Sequence, residues 1–206
     1  MVEDPIADDD PDGSPGPLPF AMLVLFEAGL APASLVLGWV LGVQPLAGFA
    51  WDVDAALLGV AAALPMVLFL AVALRWPVGP IRRVKEFFDR ELAPALEGCE
   101  WPDLAVMSAA AGVGEEMLFR GVIQAAFGKL FGPITAVAVT GVLFGLLHPI
   151  SAAYAVIAGM LGAYLGVVWL VSGNLLAPMV AHAVYDFIAL LVLLSMHRAG
   201  QKPNVG

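Results

Sequence analysis

Six apolar stretches, each of roughly the 20 residues that a helix needs to cross a hydrocarbon core of about 30 Å, dominate the chain. They run over 20–42, 55–74, 104–127, 131–148, 152–171 and 175–196. Trp39, Trp51, Trp76, Trp101 and Trp169 all fall near predicted ends, where an amphipathic ring suits the headgroup level. Between the second and third stretches, Ile81 to Leu92 mixes Val84, Phe87, Phe88 and Leu92 with charges of both signs, the pattern of a helix lying in the interface. That pattern favours a lipid-surface helix over a partner site. The expected fold is all-α and polytopic, with about six transmembrane helices plus this interfacial amphipathic helix.

The pattern divides the chain into an acidic tail (1–19), two N-terminal spans (20–74), a cytoplasmic or interfacial loop and helix (75–103), four further spans (104–196) and a C-terminal tail (197–206). Residues 1–19 hold Glu3, Asp4, Asp8, Asp9, Asp10 and Asp12 among prolines, with too little apolar surface to offset the entropy of ordering, and are expected to be disordered. Nothing basic precedes Phe20, so the first apolar stretch lacks the basic flank of a cleavable signal and is expected to be retained.

Composition sharpens this reading. The chain is 61% hydrophobic and 13% charged, about half the usual charged fraction, which excludes an ordinary soluble domain. Its net charge of -9 comes largely from the acidic tail, and nucleic-acid binding is excluded on that balance. The single Cys99 provides neither an intrachain disulfide nor a cysteine-rich zinc module. With six spans, Arg75, Arg82, Arg83, Lys85, Arg90, Arg198 and Lys202 share one side and only Lys129 the other. Both termini are therefore expected in the cytoplasm.

The third stretch contains Gly114-Glu115-Glu116-Met117-Leu118-Phe119-Arg120-Gly121. Each central charge in a membrane helix costs about 2.5–3.5 kcal/mol, whereas each Leu, Ile, Val or Phe returns only about 0.3–0.6, so these groups must face partners rather than lipid. Glu116 and Arg120 are four apart, on one face, and can form an ion pair. Glu115 lies about 100° round the helix and needs a partner from another span. Candidates are His148, closing Phe144-Gly-Leu-Leu-His148-Pro149, and His182 with Asp186, again four apart. At ~1.5 Å per residue, Glu115, His148, Asp186 and His182 lie ~18, ~25, ~16 and ~10 Å from the non-cytoplasmic side, close enough to meet in one cavity given ordinary tilt. Glu27, in the first stretch, is isolated and receives no role. Gly141/Gly145 and Gly162/Gly166 are small-residue pairs read as tight helix packing. Pro32, Pro65 and Pro178 are expected to kink their helices or lie in a first turn, and Pro149 to end its helix at His148.

Carboxylates, imidazoles and an arginine around a confined polar pocket can activate water, stabilise an oxyanion and protonate a leaving amine, which points to hydrolysis. No Gly-x-Ser-x-Gly occurs, and Ser108 and Ser151 have no base placed by sequence. His-Glu-x-x-His is also absent. Glu115, His148, His182 and Asp186 are nonetheless an acceptable ligand set for a divalent metal such as zinc, so the chemistry leaves metal dependence open.

Glu115-Glu116-x-x-x-Arg120, Phe144-x-x-x-His148 and His182-x-x-x-Asp186, in this order on successive spans, resemble the three signature motifs of the CPBP family, the CAAX proteases and bacteriocin-processing enzymes also called Abi proteins. The resemblance covers roughly 100–196. It implies an intramembrane endopeptidase whose catalytic core is the four-helix unit 104–196, acting on a peptide or membrane-protein substrate in the bilayer. It implies that Glu115 with His148 activates water, that His182 and residue 186 help to stabilise the oxyanion, and that Glu116 and Arg120 hold the cavity together. Prenyl-processing members carry Asn at the last position, where this chain has Asp186. An ionised carboxylate cannot donate to an oxyanion, so Asp186 is expected to orient His182. The short chain and acidic tail suggest a bacterial or archaeal plasma-membrane protein, with prenyl processing the less favoured task. Two other classes remain: a proton-coupled transporter, disfavoured because the charged motifs do not repeat between halves, and a catalytically idle membrane scaffold or immunity protein.

Overall fold

Helix formation follows the apolar stretches closely. The computed structural model describes residues 19–201; 1–18 of the expected acidic tail and 202–206 of the expected C-terminal tail lie outside the described residues. Within them the chain forms α1 (Phe20–Leu41), α2 (Val53–Arg75), α3 (Gly79–Phe87), α4 (Trp101–Glu116), α5 (Ala125–Phe131), α6 (Pro133–Leu146), α7 (Ala152–Ser172) and α8 (Leu176–Gln201), with no strand among the described residues. Side-chain caps start several of them: Asp52 accepts from the Asp54 amide, Ser151 Oγ from the Tyr154 amide, and Asp103 from the Glu100 amide.

Helices α1, α2, α7 and α8 are long and apolar enough to cross a membrane. The protein is an integral membrane protein on that ground, but the other two expected spans look different. The stretch expected over 104–127 is a continuous rod from Trp101 to Phe131, in which α4 passes through a π-helical segment, Met117–Gln124, into α5. Widening from i→i+4 to i→i+5 bonding is common at functional sites, and no residue type announces it. The stretch expected over 131–148 yields α6 with only 14 residues, about 21 Å of helix. It ends at Leu146, so His148 lies beyond the helix rather than at its last position. Pro149 accounts for this, since its ring drives the preceding residue away from helical dihedrals.

Helix α8 lies centrally, against α2 on one side and α4 on another, while α1 packs on α4 and α6 on α7. Backbone approaches explain the small residues. A methyl group on Gly145 would collide with the Ala155 carbonyl across the α6–α7 contact, and one on Gly59 would sit 2.5 Å from the Ala177 carbonyl of α8. At the far end of the bundle Asn174 bridges two loops: its Oδ1 accepts from the Ala50 and Leu176 amides and its Nδ2 donates to the Ala50 carbonyl. Trp39, Trp51, Trp76 and Trp101 are exposed near helix ends. Trp169 instead packs inward, against Leu175 and Met179.

The amphipathic segment packs on the bundle through part of its apolar face. After α3 the chain widens through a π turn (Phe88–Leu92) and then tightens through a 3-10 turn (Ala93–Leu96), burying Phe88, Ala93 and Leu96 against Leu104 and Leu194. Asp89 fastens it to α8: its carboxylate accepts from Lys85 Nζ and, at 3.0 Å, from His197 Nδ1. Burial disfavours this charge, but the hydrogen bonds from Lys85 and His197 outweigh it and hold the carboxyl below its ordinary range.

Two expectations follow. Gly145→Ala should destabilise the protein by about 1–3 kcal/mol through overpacking, seen as an earlier thermal transition in detergent, whereas Gly29→Ala, with nothing within 4 Å, should not. Because the folded carboxyl of Asp89 is depressed, its contribution is present above the unfolded value of about 3.9 and is lost as pH falls through the lower folded value. Amide exchange over 79–92 should accelerate below about pH 4, and Asp89→Asn should show the faster exchange already at neutral pH. Unaltered exchange in that variant would mean the latch does not hold α3.

Candidate active site

The site is organised by the two faces of the rod at Glu115 and Glu116. Glu116 points into the helix packing and has no exposed surface. Its Oε1 accepts from Arg120 Nη1 at 2.8 Å and from His182 Nδ1 of α8, also at 2.8 Å. Arg120, equally buried, donates through Nη2 to the Gly162 carbonyl of α7 and lies 5.3 Å from the Phe144 ring centroid. One carboxylate oxygen thus ties together the rod and α8, and the guanidinium beside it adds α7. A side chain at 162 would strike Phe144, so glycine there lets the α7 backbone reach the guanidinium.

On the other face Glu115 lines a cavity of about 360 Å³ together with Glu27, His148, Tyr154, His182 and Asp186. Val84, Phe87, Phe88 and Leu92 of the amphipathic segment close one end of it. His182 is 6% exposed, and its Nε2 is 3.3 Å from Asp186 Oδ2. Orientation of this ring is therefore shared: Glu116 holds Nδ1 with a hydrogen bond and Asp186 stands beside Nε2.

His148, in the turn after α6, is fixed by a 2.7 Å hydrogen bond between Nδ1 and the Phe144 carbonyl, and its ring stacks on Phe144 at 4.6 Å. A carbonyl can only accept, so Nδ1 carries the proton and Nε2 keeps its lone pair. No hydrogen bond to protein engages that nitrogen among the described residues.

The structure thus brings Glu115, His148, His182 and Asp186 to one cavity and sets Glu116 and Arg120 behind its wall. Among the described residues no three His, Cys, Asp or Glu side chains converge as a metal-binding group. Both histidines hold Nδ1 on an oxygen, His148 on the Phe144 carbonyl and His182 on Glu116, the outer-sphere contact that metal-ligating imidazoles also make.

Sequence reasoning assigned no role to Glu27, which reaches the cavity from α1, and set Ser108 aside as a nucleophile; Ser108 also lines the cavity, and its buried Oγ has no hydrogen-bond partner. The signal for Glu27 was present: it is the lone charge in an otherwise apolar span, and such a charge must face a partner. A second, apolar cleft of about 300 Å³ opens between α2 and α7, lined by Pro65, Phe69, Met160 and Tyr164, and shares Met66 and Leu161 with the polar cavity.

Residues 98–188 match the family described as Type II CAAX prenyl endopeptidase Rce1-like. No curated protein and no solved structure matches the chain. The matched segment holds all six motif residues and begins well after α1, where Glu27 resides.

Arg120→Ala should strand Glu116 as a buried charge and cost about 3–5 kcal/mol. The check is folded yield and melting temperature in detergent; wild-type values would show that Glu116 does not need the guanidinium.

Proposed function

We propose, from the match of residues 98–188 to the Type II CAAX prenyl endopeptidase Rce1-like family, that the chain is an intramembrane endopeptidase using water activated by Glu115 and His148. The observation that carries this reading is the shared cavity: a carboxylate and an imidazole with an unengaged Nε2 line one enclosure inside the helix bundle.

In this mechanism a water lies between the Glu115 carboxylate and His148 Nε2. As its oxygen attacks the scissile carbonyl carbon, its proton passes to Glu115, and general-base assistance of this kind contributes about 10²–10⁴-fold. The carbonyl oxygen becomes an oxyanion beside His182: Nδ1 stays with Glu116, and the Nε2–H, which stands beside Asp186 before substrate binds, donates to the oxyanion. Collapse of the tetrahedral adduct breaks the C–N bond, and the departing amine takes the proton from Glu115. Each part is held before substrate arrives, so little reorganisation is needed during reaction.

The substrate is a peptide or membrane-protein segment, and the apolar cleft between α2 and α7 gives it a route from the bilayer into the polar cavity. We count six spans, with the Trp101–Phe131 rod and the short α6 joining the four long apolar helices. The Lys and Arg distribution puts both termini in the cytoplasm, in a bacterial or archaeal plasma membrane.

Glu115→Ala and His148→Ala should each lower cleavage of internally quenched peptides, prenylated and unprenylated, by about 10²-fold or more while leaving the melting temperature near wild type. Full activity in either folded variant removes its residue from the mechanism. Solute flux in proteoliposomes without any hydrolysis would favour a carrier instead.

A further inference from the structure

Glu27 lies in α1, whose remaining residues from Phe20 to Leu41 carry no charge. Its helix crosses the rod immediately beside the site: a methyl on Gly114 would strike the Glu27 backbone carbonyl, so glycine at 114 lets α1 come close. The approach brings the Glu27 side chain into the polar cavity that Glu115 also lines. Oε2 of Glu27 and Oε2 of Glu115 are both buried, and neither has a donor from any other residue. Two ionised carboxylates have only acceptor atoms and cannot satisfy one another. One proton between them resolves both orphaned oxygens, and leaving buried polar atoms unpaired costs more than sharing it.

We propose that Glu27 is a positioning residue of this site: its carboxyl donates a hydrogen bond to the Glu115 carboxylate, fixing the orientation of Glu115 and leaving the second oxygen of Glu115 for water. This rests on the hydrolytic reading of the cavity. It assigns a function to α1, which lies outside the segment that carries the family match. It also accounts for a charge in a membrane helix that no ion pair explains: the groups around Glu27 are Glu115 from the rod, His182, Tyr185 and Asp186 from α8, His148 from the turn after α6, and Tyr154 from α7. Of these, Glu115 is the carboxylate whose own buried Oε2 also lacks a partner.

The test compares Glu27→Gln and Glu27→Leu in the purified full chain. Glutamine keeps a donor of the same reach and leucine removes it, while leucine suits a membrane helix and should not lower the melting temperature. With internally quenched prenylated and unprenylated peptides as probes, Glu27→Leu should lower kcat roughly 10–100-fold with KM little changed, and Glu27→Gln should restore kcat to within about threefold of wild type. Wild-type kcat in Glu27→Leu, or equal loss in both variants, overturns the assignment while the hydrolase reading stands. If the wild-type chain cleaves none of the probes, infrared spectroscopy decides the point separately. A hydrogen-bonded, protonated carboxyl band that is altered in Glu27→Leu supports the Glu27–Glu115 contact, and an identical band overturns it.

Discussion

A charge placed inside a membrane helix is tolerable only if the fold surrounds it with partners, and Glu116 is where this chain meets that demand. Its Oε1 receives both Arg120 and His182, and Arg120 reaches the Gly162 carbonyl and the Phe144 ring. Removing any member leaves a buried ion uncompensated, a penalty comparable to much of a domain's stability. The positions of the rod, α7 and α8 are thereby coupled. Their backbones come near enough for this only because glycine stands at the contacts.

The same coupling decides where reactive groups stand. Adjacent residues on a helix point about 100° apart, so anchoring Glu116 in the packing turns Glu115 into the cavity. Holding His182 by Nδ1 aims its other nitrogen toward Asp186. The Phe144 ring packs beside Arg120 on the buried side and stacks on His148 on the other, linking the anchored charges to the proposed water site through one aromatic contact. The amphipathic segment completes the enclosure, with apolar side chains over the cavity and Asp89 tied to His197. Apolar side chains thus flank the polar groups, and the apolar cleft between α2 and α7 borders the same cavity through Met66 and Leu161.

Much of the helical layout was legible from hydropathy, because in a membrane the partition of a whole segment outweighs local propensity. The stretches 20–42, 55–74, 152–171 and 175–196 differ from α1, α2, α7 and α8 by five residues or fewer at either end. The three motifs were legible for the same energetic reason: charges that ought to be excluded mark themselves. Less legible were features set by a single peptide group. The π-helical segment after Glu116 uses residues at home in an α-helix, and α6 stops before His148 because Pro149 acts backward along the chain. For the amphipathic segment, a one-dimensional pattern shows that a face is apolar and does not show that Phe88, Ala93 and Leu96 pack against Leu104 and Leu194.

The sequence by itself determined that the chain is a bundle of membrane helices and which few side chains cannot face lipid, since both follow from transfer energies that depend on residue type and span length alone. Only the tertiary structure decided the pairings. That Glu116 holds His182 across 66 positions, that Glu27 shares a cavity with Glu115, and that His148 turns its Nδ1 to a carbonyl all depend on the rotation and crossing of helices about one another. Those are settled by backbone approach at glycines and by mutual satisfaction of buried polar atoms, quantities that no single segment of the chain possesses.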